Sequence, residues 1–308
     1  MQSTARSAPA ATIAFRDVLS DDGTRLRAWT NDPEERIDGP TVLLCNGLGT
    51  SPFAWPALLD PACGVRVVSW NHRGTGGSDR PTRAEACGVD ELVEDALSVM
   101  DHFGLDRVVV VGWSIGVNTM FQLAVDHPER VSALFAVAGV PGDTFSTMLG
   151  PLRLPRAAAR AVTVNLSRAV RLAGRAITPV TTRLPVGEKT IAVLSHSGFM
   201  LPVADPQLTA AAVKEFLSTP IDWYFHMALT TSLHRRVPLS RVEVPCVFVA
   251  GRWDLLAGAR HMATAADRIP GASYVELPGT HFVQMEHPDE VHRLLLDLVG
   301  RVSDDKVA

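Results

Sequence analysis

The sequence predicts an α/β fold: a mostly parallel sheet of about eight strands flanked by helices, with a helical cap inserted past its middle. Three observations lead there. Short runs of Val, Ile and Leu recur without polar alternation, as in strands covered on both faces. Amphipathic segments separate them, and such alternation leads to a doubly wound parallel sheet. The rhythm then lapses from about Gly142 to Val242, where no run reads as a parallel strand.

Taken in order, the stretch MQSTARSAPAATIAFRD is rich in small residues and expected to be frayed. Its apolar part is broken by Arg16 before a signal-peptide core could form. Ile13–Thr30 reads as an antiparallel hairpin turning at Asp21-Asp22-Gly23. Strands follow at Thr41–Cys45, Val65–Trp70, Arg107–Val111, Ala133–Ala138, Cys246–Ala250 and Ser273–Leu277. Asp90–Phe103 carries apolar residues close to a helical repeat. Val117–Val125 is apolar and helical, and His287–Val299 opens with Pro288 in its first turn. The core is therefore assigned to 1–141 and 242–308, and the insertion to 142–241. Within the insertion, Asp205-Pro206 signals a helix start before Gln207–Leu217, and Pro220 opens a further apolar segment through Leu233.

The bulk numbers narrow the function. The 308 residues are 46% hydrophobic and 20% charged, which excludes a disordered chain, and the net charge of −4 argues against nucleic-acid binding. No window approaches 18 uninterrupted apolar residues, so no membrane span is expected, and the default location is the cytoplasm. Cys45, Cys63, Cys87 and Cys246 form no CxxC pair and have no histidines at ligand spacing, so neither a metal nor an organic cofactor is implied.

The chemistry concentrates in Gly112-Trp113-Ser114-Ile115-Gly116. The motif follows VVVV and opens a helix, the setting in which a sharp turn lifts a serine hydroxyl above a sheet. A hydroxyl needs a base. Of ten histidines, His281 is favoured because it follows strand SYVEL and the turn Pro278-Gly279-Thr280. The histidine in turn needs an orienting carboxylate. Asp254 stands at the end of CVFVAGRWD, with Asp143 after ALFAVA as the competing acid. The loop Asn46-Gly47-Leu48-Gly49 follows TVLLC, and the backbone amides of Leu48 and Ile115 are expected to form an oxyanion hole. Trp113, Phe199, Met200, Trp223, His226 and Met227 are expected to line an apolar substrate pocket, with Leu149 and Phe225 alongside.

As an ordered set, NGLGTS (46–51), NHRGTGGSD (71–79), GWSIG (112–116), GRWD (251–254) and GTHF (279–282) resemble the α/β-hydrolase superfamily. The likeness is nearest to its capped branch of carboxylesterases, cofactor-free haloperoxidase-like enzymes and C–C bond hydrolases. It spans about Val42–Phe282 apart from the insertion. The resemblance implies Ser114 as nucleophile, His281 as base and Asp254 as acid, with oxyanion donors at Leu48 and Ile115. Relatives commonly place histidine before the oxyanion glycine, where this chain has Asn46, an amide able to brace the loop. Serine at 114 argues against the aspartate-nucleophile epoxide hydrolases and haloalkane dehalogenases.

The expected function is an esterase or thioesterase acting on a small apolar acyl substrate. A C–C bond hydrolase, or a catalytically silent binder of hydrophobic ligands, is the alternative. One feature stands outside this reading. From Thr144 to Gly187 there is no acidic residue, yet Arg153, Arg156, Arg160, Arg168, Arg171, Arg175 and Arg183 are present. Arg153/156/160 and Arg168/171/175 each repeat as i, i+3, i+7, which predicts two trios, each on one helix face. The trios read either as a solvated face or as a contact for an anionic membrane surface or anionic substrate.

Overall fold

Unbroken Val/Ile/Leu runs can bury both faces only in a sheet with helices on each side, and the computed structural model uses them so. It describes residues 13–304; residues 1–12 of the stretch expected to fray lie outside it. The strands are β1 (Ala14–Leu19), β2 (Arg25–Thr30), β3 (Thr41–Cys45), β4 (Arg66–Trp70), β5 (Val108–Trp113), β6 (Val131–Val137), β7 (Cys246–Gly251) and β8 (Ser273–Leu277). They form one sheet of 8 strands in the order β1-β2-β4-β3-β5-β6-β7-β8. The β1–β2 hairpin is antiparallel and β2 is antiparallel to β4, whereas every pairing from β4 to β8 is parallel. The loops after β3, β5, β7 and β8 therefore emerge at one end of the sheet, which brings the motif residues to a common place.

The helices are α1 (Val89–His102), α2 (Ile115–Asp126), α3 (Arg156–Thr181), α4 (Glu188–Ser195), α5 (Pro206–Ser218), α6 (Ile221–Thr231), α7 (Ala259–Ala266), α8 (Val283–Glu286) and α9 (Pro288–Asp304). Successive strand residues point to opposite faces. Thus Leu43, Val110, Leu134 and Phe248 pack with Val93, Met100, Met120, Phe121 and Met262 of α1, α2 and α7. Their neighbours Val42, Val111, Phe135 and Val249 pack with Val291, Leu295 and Leu298 of α9. Cys45 and Cys246 are small fillers of the first layer, and burial pushes both thiols far above the ordinary range.

The NHRGTGGSD loop contributes a fastening. The Arg73 guanidinium is buried at 1% exposure, 2.7 Å from Asp95 and 2.5 Å from Asp22 at the hairpin turn, and also donates to Ser20 Oγ.

Between β6 and β7 the chain is helical. Short 3-10 turns at Thr144–Ser146 and Gly150–Leu152 precede α3–α6. Asp205 caps α5, its carboxylate accepting from the amides of Gln207 and Leu208. The two ends of this stretch are bonded to each other: Asp143 N–H donates to the His234 carbonyl (3.2 Å) and Val237 N–H to that of Pro141 (3.4 Å).

The first arginine trio is corrected here. Arg153 does not share a helix face with Arg156 and Arg160, because it sits in a left-handed turn (φ 50) and α3 begins only after Pro155. Nor are Arg156 and Arg160 a solvated face, since both reach back to Asp143 at 2.8 and 3.4 Å.

Candidate active site

Strand β5 runs through Trp113 and delivers Ser114 into a turn with φ 56 and ψ −119, a region that non-glycine residues adopt only under strain of about 1–3 kcal/mol. The chain can turn this sharply because nothing projects from Gly116. A Cβ there would run into the carbonyl oxygens of Cys45 and Asn46 at the end of β3. The same contact seats the start of α2 directly against the loop after β3.

His281 follows β8 and is buried at 6% exposure, while Asp254 follows β7 at 1%. His281 Nε2 lies 2.8 Å from Ser114 Oγ, and Nδ1 lies 2.9 Å from Asp254 Oδ2 and 3.1 Å from Oδ1. A carboxylate can only accept, so Nδ1 carries the proton and Nε2 is left to accept from the serine hydroxyl. Asp254 is itself held by the amides of Leu256 (2.7 Å) and Ala257 (2.8 Å), both donating to Oδ1. Asp143 lies apart from this chain, its carboxylate taken by Arg156, Arg160 and Arg236.

The Leu48 amide donates to no acceptor among the described residues. That of Ile115, first residue of α2, has no acceptor within its helix. Both residues belong to one apolar cluster with Phe145, Trp223, Met227 and Ala228, a greasy wall supplied largely by α6. Asn46 braces the loop with three bonds. Its Oδ1 accepts from Gly47 N–H (3.0 Å) and from the Trp55 indole (3.0 Å), and its Nδ2 donates to the Ser51 carbonyl (3.2 Å).

The residues expected to line a pocket divide. Trp223 and Met227 lie in the wall just described. Phe199 is half-exposed and packs edge-on against Phe282, which in turn packs against the His281 ring. Met200 is buried. Trp113 lies beneath the site, its ring 5.8 Å from that of His281. His226 lies beside Trp223, their rings 5.2 Å apart, and its Nε2 is 2.7 Å from the Ala84 carbonyl, which joins α6 to the loop before α1. Of the other histidines, His72 is fully enclosed, and burial pushes its pKa down to about 4.

Sequence reasoning missed Glu286. Its carboxylate, 8% exposed, accepts from Thr280 N–H (2.7 Å) and Thr280 Oγ (2.6 Å) just before His281, and from Leu201 N–H (2.8 Å) of the helical stretch. The only trace in the sequence is an acid on the apolar run FVQME, a poor place for an unpaired charge.

Comparison with known proteins agrees with this architecture. The family model described as alpha/beta hydrolase fold matches residues 40–161. The chain is 30% identical to rhodomycin D methylesterase DnrP of Streptomyces peucetius, over 81% of this chain and 86% of that protein. It is 26% identical to epoxide hydrolase B of Mycobacterium tuberculosis, over 92% and 97% respectively. Among solved structures, an esterase from Exiguobacterium antarcticum superposes with a TM-score of 0.70 at 15% identity, covering 93% of this chain and 100% of that one, a likeness of fold.

Proposed function

The chain belongs to the α/β-hydrolase fold family, and within it we propose a serine hydrolase that cleaves carboxylic ester or thioester bonds of an apolar acyl substrate. The observation that carries this reading is the continuous hydrogen-bond chain Ser114 Oγ–His281–Asp254. As His281 Nε2 removes the proton, Ser114 Oγ attacks the acyl carbon. The amides of Leu48 and Ile115 receive the oxyanion, aided by the positive end of α2. Collapse expels the alcohol or thiol, which takes the proton from His281, and leaves an acyl ester on Ser114. Water, deprotonated by the same imidazole, then attacks that ester and releases the acid and the serine. Asp254 holds the ring in the tautomer this requires.

The same chemistry sets the proposal apart from the epoxide-opening relative. Attack of Ser114 on an epoxide would form an alkyl ether, which offers activated water no acyl carbon. The wall of Trp223, Met227 and Phe145 supports an apolar acyl group, each such side chain contributing roughly 1.5–3 kcal/mol when fully covered. Four free, buried thiols support placing the enzyme in the reducing cytoplasm.

The test is a panel of nitrophenyl esters and acyl thioesters of graded chain length, with one epoxide and one vinylogous diketone, run on the wild type and on Ser114→Ala. Ester or thioester turnover that fluorophosphonate blocks and Ser114→Ala loses is the expected result. Turnover confined to the diketone would make it a C–C bond hydrolase. Ligand binding without labelling of Ser114 would make it a binder.

A further inference from the structure

Helix α3 is turned the unusual way round. An amphipathic helix ordinarily buries its large apolar residues against its own protein. Here the buried positions are Ala159, Thr163, Ser167 and Gly174. Gly174 lets α6 approach so closely that a Cβ would meet the Asp222 backbone. The large apolar residues point outward instead: Val162 is 49% exposed, Leu166 62%, Leu172 84% and Val180 61%. At 100° per residue Val162, Leu166, Ala169, Ala173 and Val180 fall in one stripe, and Arg168, Arg171 and Arg175 form a parallel strip on the opposite flank. All three arginines are exposed. Arg175 has Asp222 only at 4.0 Å. No acid occurs from Thr144 to Gly187, although the whole chain carries a net charge of −4.

We propose that the outward face of α3 docks on an anionic lipid surface, the apolar stripe entering the boundary between headgroups and acyl chains while the arginines bind phosphate. The helix would lie in the interface and not cross it, and no helix among the described residues is long and apolar enough to cross a membrane. Charge selects this occupant over a second copy of the chain, because two such faces would bring arginines together with no acid between them. One turn before Arg168 on the arginine strip, α3 places Val164 against the cluster around Leu48 and Ile115, so docking would bring the proposed oxyanion site close to the lipid. This rests on the serine-hydrolase reading only for its benefit to catalysis; the binding itself is separable.

The experiment is co-sedimentation of the full chain, as wild type and as Ser114→Ala, with phosphatidylcholine vesicles with and without phosphatidylglycerol. Both proteins should bind the anionic vesicles and lose them as salt is raised. Replacing Arg168, Arg171 and Arg175 together by Gln should weaken binding roughly hundred-fold, at about five-fold per arginine. Leu166→Asn with Leu172→Asn should weaken it with the salt dependence kept. All these positions are exposed, so circular dichroism and turnover of a short soluble ester should be unchanged. Equal binding to neutral and anionic vesicles, no binding to either, or binding indifferent to both sets of variants overturns the proposal. So does a concentration-dependent dimer that the leucine variants dissolve. A protein that binds vesicles but turns over no ester would sink the hydrolase reading and leave the docking face standing.

Discussion

The indole N–H of Trp113 donates a 3.0 Å hydrogen bond to the backbone carbonyl of His281. The residue that precedes the proposed nucleophile thus holds the loop that carries the proposed base, and the distance between hydroxyl and imidazole is set by neighbours of both.

Trp113→Phe keeps most of the bulk and removes that bond. A net hydrogen bond contributes about 0.5–1.5 kcal/mol, so kcat should fall two- to ten-fold with KM little changed. Steady-state kinetics on a short ester checks this, and a change confined to KM would place Trp113 in substrate binding alone.

Asp254→Asn should fold, because an amide oxygen can still accept from Leu256 and Ala257. It offers His281 Nδ1 an N–H in place of one acceptor oxygen, which favours the wrong tautomer. Substitutions of this kind in Ser-His-Asp enzymes cost about 10⁴ in kcat. Asp143→Asn should leave kcat within a few-fold of wild type, so the pair of variants separates the two candidate acids.

Glu286→Ala should lower both stability and rate. It strands the Thr280 and Leu201 donors, and each buried donor left unsatisfied costs about 1–3 kcal/mol. Thermal unfolding should show a fall of several degrees, and kcat should drop because the turn before His281 loses its anchor. Glu286→Gln keeps one acceptor and should fall between.

Asp143 makes the strength of attachment of the helical stretch depend on pH. Burial alone would raise its carboxyl pKa, but the Ser146 hydrogen bond and the Arg156 and Arg160 charges outweigh that and hold it below the ordinary 3.8. A depressed folded-state pKa gives stability that is present above the unfolded value and lost as pH falls through the folded one. The gap in melting temperature between wild type and Asp143→Asn should therefore be fully open at neutral pH and close below 3.8.

The strands were legible because burial on both faces demands long apolar runs, and parallel pairing carried the order of motifs along the chain into neighbouring loops. Ser114, Asp254 and His281 could be singled out because each stands just past a strand, and the folded chain sets them within hydrogen-bonding distance. Helix α3 was legible only through the spacing of its arginines, which predicted helix faces without giving the element's bounds. Its apolar stripe faces outward, so the pattern that marks an inward helix face is displaced. Arg153 shows the limit of spacing arguments, since Leu154-Pro155 breaks the helix that i, i+3, i+7 assumes. Glu286 was hidden for another reason: one of its partners, Leu201, lies 85 residues away in a stretch whose docking no local pattern records.

The bonds from Asp143 to His234 and from Val237 to Pro141 have a practical meaning. Because both ends of the helical stretch leave the sheet through one narrow neck, a foreign segment of different length could be spliced in there without disturbing strand register. The neck is a natural seam for exchanging selectivity between proteins of this architecture while the reacting groups stay where they are.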